Sequence, residues 1–80
     1  MRQNSELISL FGRAEVERAS ARCGELNQWV NSDLAHRFEV IRAMQGLQEA
    51  IAINPHNAVQ FCQGLEPNVR GVILLDLLES

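Results

Sequence analysis

Lysine, tyrosine and threonine do not occur in this chain. Every fixed cation is therefore arginine. Such usage fits a GC-rich, bacterial source, because lysine codons are AT-rich. It also suits interfaces, since guanidinium groups bind carboxylates bidentately and stack on aromatic rings. Basic charge is not in excess: the net charge is −3. Arg2, Arg13, Arg18 and Arg22 are interleaved with Glu6, Glu15, Glu17 and Glu25. That mixture describes a solvated, ion-paired helix face and not a phosphate-binding stripe. Nucleic acid is not an expected partner.

Other absences narrow the class further. No apolar stretch approaches the roughly 20 residues that cross a bilayer. No basic region followed by a continuous apolar segment opens the chain, so a cytoplasmic location is expected, with no membrane partner. Aromatics are few, and β-branched residues never alternate usefully with polar ones, which excludes amphipathic strands. The glycines are isolated, so no phosphate-cradling loop exists. Eighty residues make a single domain, residues 1–80.

What remains is rich in Ala, Leu, Glu, Gln and Arg, all strong helix formers. The expected fold is all-α: two long helices forming an antiparallel hairpin, then two short ones folding back across it. The first helix runs from about Ser5 to Val30, with Asn4 or Ser5 as cap. Leu7, Ile8, Leu10 and Phe11 form an early apolar face. Val16, Ala19, Cys23, Leu26 and Val30 then follow a 3-4 spacing, the seam of a helix packed lengthwise on another. The two stripes are out of phase across Gly12-Arg13, so an irregularity belongs near Gly12, with Gly24 a second weak point.

Asn31-Ser32-Asp33 marks the next boundary, with Asn31 or Ser32 as cap and Asp33 near the positive helix end. The second helix runs from Asp33 to about Ile53. Leu34, Phe38 and Ile41 make one stripe, and Val40, Met44, Leu47 and Ile51 an adjacent one. Together they predict a wide buried face touching two neighbours. Gly46 falls opposite and is expected to be exposed. Asn54-Pro55 closes this helix and opens a third, ending near Gln63 with Gly64 at a left-handed cap. Val59 and Cys62, or Ala58 and Phe61, would face inward. Pro67 opens the last helix.

One stretch, Ala43-x₃-Leu47-x₂-Ala50-Ile51-x-Ile53-Asn54-Pro55-x-Asn57, resembles the second helix and turn of a tetratricopeptide repeat. In that family small residues permit close helix packing and the proline opens the next repeat. The preceding segment departs from the pattern, with Asn27, Asn31 and Leu34 where the repeat tends to carry Trp, Gly and Tyr. No second copy follows, whereas a solenoid stacks at least about three. The likeness is of helix–turn–helix chemistry, and it carries over no functional residue.

Catalytic and metal constellations are not evident. Cys23, His36, His56 and Cys62 hold the atoms of a zinc site but lack the paired short spacings that deliver two ligands from one element. Cys23 sits on an apolar stripe and Cys62 beside Phe61, which describes buried, inert thiols and not activated nucleophiles. His36 reads as a surface residue, and His56 as a turn residue with a local hydrogen bond. Arg13–Glu17 and Glu39–Arg42 read as surface pairs of about 0.3–0.5 kcal/mol each. No cofactor, metal or small-molecule ligand is expected, nor is enzymatic activity.

The closing segment is the most informative. Val72-Ile73-Leu74-Leu75-Asp76-Leu77-Leu78 has one polar residue. Wound as a helix it is apolar around most of its circumference and must be covered on more than one side. It is either the central rod of the bundle or a surface for a partner. The expected function is a small protein-binding adaptor: a regulator, chaperone or inhibitor. Its candidate surface is Val69, Val72, Ile73, Leu74, Leu75, Leu77 and Leu78, and its partner is another protein or a second copy in a homodimer. Two alternatives stand beside it. One is a helix-turn-helix DNA-binding regulator, with Asn68 and Arg70 at the start of the recognition helix. The other is a structural subunit that completes a larger helical assembly.

Overall fold

In the computed structural model, residues 8–79 are described, and among them there is helix and no strand. The proposed start at Asn4 or Ser5, and Leu7 of the first stripe, lie outside the described residues. The helices are α1 (described over residues 8–11), α2 (Arg13–Ala21), α3 (Cys23–Ser32), α4 (Leu34–Ile53), α5 (Asn57–Gln63) and α6 (Pro67–Glu79). The expected first long helix is thus three pieces. Only α4 is long.

The first break falls at Gly12, as the phase shift of the stripes implied. Gly12 has φ 88° and ψ 158°, a backbone region essentially closed to residues with a Cβ. The second falls at Arg22 and not at Gly24. Arg22 leaves the helical region at φ −100° and ψ 15°, and its N–H is shared between the carbonyls of Arg18 and Ala19 at 3.2 and 3.1 Å. Its side chain is held across the fold. Arg22 Nη2 donates to Asn68 Oδ1 at 2.8 Å, and Nε reaches Glu25 at 2.7 Å. The bend is therefore pinned to the start of α6, a contact between distant parts of the chain.

The bend redirects the architecture. α2 packs on α6, while α3 packs on both α4 and α6. The hairpin persists as the shorter α3–α4 pair. α6 touches α2, α3 and α4, which makes it the central rod. On one side it contributes Val69 and Ile73 to a cluster with Val40, Ala43, Leu47, Ala58 and Cys62. On the other it contributes Leu74 and Leu75 to a cluster with Ala19 and Leu26.

Local chemistry sets the remaining boundaries. Asp33, in extended conformation, is the cap of α4, accepting from the Ala35 N–H at 2.9 Å through Oδ1. Asn31 and Ser32 do not cap it. Their side chains donate backwards, to the carbonyls of Asn27 and Trp29 at 2.8 and 2.7 Å, closing the end of α3. At the next junction Asn54 Oδ1 accepts from the His56 N–H at 3.0 Å, an Asx turn. The helix then begins at Asn57, two residues later than expected. Gly64 caps α5 with φ −83° and ψ −6°, so the expected left-handed cap is absent there.

Gly46 differs from expectation as well. It is half-buried, and a Cβ placed on it would meet Phe61 Cζ at 2.7 Å. The missing side chain makes room for the Phe61 ring of α5. Within α5, Ala58 and Cys62 are buried, with Val59 and Phe61 half-buried beside them.

Candidate functional site

The seven apolar residues singled out on the last helix occupy different environments. Val69, Ile73, Leu74 and Leu75 are buried within this chain. Val72 and Leu77 are half-buried and pack against the core. Leu78, at the helix end, is exposed. Most of the apolar circumference of α6 is thus covered by α2, α3 and α4.

The apolar surface left open lies elsewhere. On α4, Leu34, Phe38 and Ile41 are 64%, 61% and 52% exposed. The expectation that they join Val40 and Leu47 in one buried face does not hold. α3, α5 and α6 gather on the side of α4 that carries Val40, Ala43 and Leu47. At about 100° per residue, the Leu34–Phe38–Ile41 line faces roughly opposite. α4 is therefore apolar on two faces, and only one has neighbours among the described residues. The 4-3 spacing continues through Gln45, Gln48 and Ala52, all exposed. This line has the geometry of a coiled-coil seam.

The base of the stripe is stiffly held. A single residue, Asp33, joins α3 to α4. Across it the His36 ring stacks on Trp29, with centroids 4.2 Å apart and planes 13° apart. His36 Nδ1 lies 2.8 Å from the Trp29 carbonyl oxygen. A carbonyl only accepts, so Nδ1 carries the hydrogen and donates. His36 is thus a half-buried clasp of the α3–α4 corner, not the free surface residue expected.

Beside the stripe, a shallow groove runs between α4 and the α5–α6 junction. Gly46, Phe61, Leu65 and Val69 line it together with Glu39, Arg42 and Glu66. Arg42 stands between groove and stripe. The expected Glu39–Arg42 pair is not formed, whereas Arg13 and Glu17 do pair, at 2.9 Å.

The residues considered for DNA contact are held within the chain. Asn68 accepts from Arg22, and Arg70 approaches Glu15 at 3.5 Å. Glu15 also receives Arg18 at 2.6 Å, so α2 is tied to the start of α6 by charge. Among the described residues no group of three metal-ligating side chains comes together, and no helix is long and apolar enough to cross a membrane.

The cysteines also separate. Cys62 is fully buried, and desolvation raises its pKa from 9.0 to about 11 despite the opposing field of Arg70. Cys23 is only half-buried, short of the full burial its stripe implied, with Asn27 Nδ2 donating to its sulfur at 3.6 Å. In the native protein, thiol reagents are expected to modify Cys23 well before Cys62. The folded state holds the Cys62 proton more tightly than the unfolded chain does. Stability from this group is therefore complete below about pH 9 and is lost as pH rises toward about 11. Without lysine or tyrosine, cysteine is the only side-chain type that ordinarily titrates between about pH 8 and 11. Urea melts across that range should show the fall in wild type and not in Cys62→Ala. A fall of equal size in both would refute the assignment.

Comparison with known proteins identifies no relative: no family model, curated protein or solved structure matches this chain.

Proposed function

We propose that this chain is a small protein-binding adaptor, of the regulator, chaperone or inhibitor kind, that engages its partner through the solvent face of α4. The observation that carries the reading is the exposed line Leu34–Phe38–Ile41 on a helix already anchored by its other face. Isolated exposed leucines are ordinary, but large apolar side chains aligned on one rigid helix face mark an interaction surface. Leaving them open forgoes on the order of 3–5 kcal/mol that burial would supply. A few such anchors can carry most of a binding energy. The seam spacing favours a helix laid lengthwise as the bound element. The surface proposed here replaces most of the candidate surface on α6, since of its seven apolar residues Leu78 alone is exposed.

Phe38→Asp is the test. Its side chain leaves solvent for solvent, so thermal melts should match wild type to within a few degrees. Wild-type protein used as bait should retain a partner that the variant loses, and light scattering on both should show whether that partner is a second copy. Identical retention and identical mass for the two proteins would sink the reading.

A further inference from the structure

The arginines beside the stripe point to the chemistry of its partner. Arg13, Arg18, Arg22 and Arg70 each approach a carboxylate of this chain: Glu17, Glu15, Glu25 and Glu15 in turn. Arg37 and Arg42 form no ion pair with any described residue. Each has an acid at helical spacing. Asp33 precedes Arg37 by four, but its carboxylate caps α4 through the Ala35 N–H. Glu39 precedes Arg42 by three and remains apart from it. Helical geometry sets Arg37 on one side of the Leu34–Phe38–Ile41 line and Arg42 on the other. The two unpaired guanidinium groups thus bracket the exposed apolar stripe.

We propose that the occupant of this face is an amphipathic helix with acidic residues on both sides of its own apolar stripe. The proposal rests on the reading that the α4 face binds protein. Apolar anchors supply affinity, while flanking charges choose the partner and speed the encounter. A guanidinium without an internal partner gives up no ion pair when it binds an incoming carboxylate, and it can do so bidentately. A second copy fits poorly. In parallel, in-register pairing along this seam Arg37 meets Arg42, and in full antiparallel overlap Arg42 meets itself. An anionic membrane fits poorly too. A helix lying on a membrane surface is rich in Lys and Arg along its polar face, whereas α4 carries two arginines, Arg37 and Arg42, balanced by Glu39 and Glu49.

The experiment uses the whole chain and two synthetic helical peptides of about three heptads, both with leucine at a and d. One carries glutamate at e and g, the other lysine. Fluorescence anisotropy at low salt should show the glutamate peptide binding at least ~10-fold more tightly, with the gap narrowing as salt approaches about 0.5 M. Arg37→Glu/Arg42→Glu should reverse the order of the peptides while leaving the circular dichroism spectrum and melt unchanged. Phe38→Asp should weaken the preferred complex by at least ~10-fold. Equal binding of both peptides would overturn the acidic partner and leave the protein-binding face standing. Binding of neither would overturn both. A wild-type dimer that Phe38→Asp dissociates would assign the face to a second copy. Binding to phosphatidylserine vesicles, lost in the same variant and stronger than to either peptide, would assign it to a membrane.

Discussion

Leu26→Ala is expected to remove about 2–5 kcal/mol of stability, the range for truncating a fully enclosed leucine. Leu26 has no solvent exposure, although it belongs to a helix of ten residues whose other members are half-buried or exposed. It packs with Ala19, Leu74 and Leu75, and so joins α3 and α2 to the central helix. These neighbours are backbone-anchored on two other helices and cannot all collapse into the space, so the upper part of the range applies. A chain this size has only about 4–12 kcal/mol in total. The expected shift in melting temperature is therefore at least about 10 °C, with fraying of α2 in hydrogen exchange. Leu78→Ala, at an exposed site of the central helix, is the control and should stay within about 0.5 kcal/mol of wild type. A Leu26→Ala protein that melts with wild type would mean that α3 does not sit on α6 as described.

Gly71→Ala should also destabilise, against the usual trend. Alanine in a helix interior is favoured over glycine by about 0.8–1 kcal/mol. At position 71 that gain is opposed by contact. A Cβ there would lie 2.7 Å from Leu26 Cδ1 and 3.2 Å from Cδ2. Leu26 is enclosed and cannot swing away. Overpacking at such a site costs about 1–3 kcal/mol, so the net effect is a loss, larger again for Gly71→Val. The decisive version is the double variant. Space vacated in Leu26→Ala accepts the new methyl of Gly71→Ala, so together the substitutions should cost less than their sum by about 1 kcal/mol or more. Strict additivity in urea melts would show that the two residues do not touch. Gly24→Ala, with open space around its Cβ position, should instead be neutral or stabilising.

Several boundaries were legible in the chain because their causes are local. Gly12 breaks the first segment where two stripes fall out of phase, Asn54-Pro55 ends α4, and Pro67 opens α6. Each acts through its own φ/ψ or a side chain within a few residues. Gly64 and the Asn31–Asp33 corner were legible as boundaries but not in detail. Several groups there can compete for the same backbone sites, and which carbonyl a side chain prefers depends on the helix already formed. Arg22 carried no such local signal. It is an ordinary helix former, and its departure from helix goes with a hydrogen bond to Asn68, 46 residues away.

The candidate site shows the same division. Periodicity identified the line Leu34–Phe38–Ile41 but could not say which way it faced, because it reports apolar stripes and not their neighbours. It likewise found α6 apolar all round without deciding between rod and interface. By itself the sequence determined that the chain is helical, where its helices are punctuated, and that more apolar helix surface exists than a short chain readily covers. Only the tertiary structure decided how that surface is shared. The bend at Arg22 places α2 on α6, and the small Gly71 admits Leu26 against the central helix. With α6 wrapped on three sides, no helix remains among the described residues to cover the outer face of α4. Such choices rest on contacts between residues far apart in the chain, where burial free energy is gained by whichever surfaces meet, and no local pattern records which ones do.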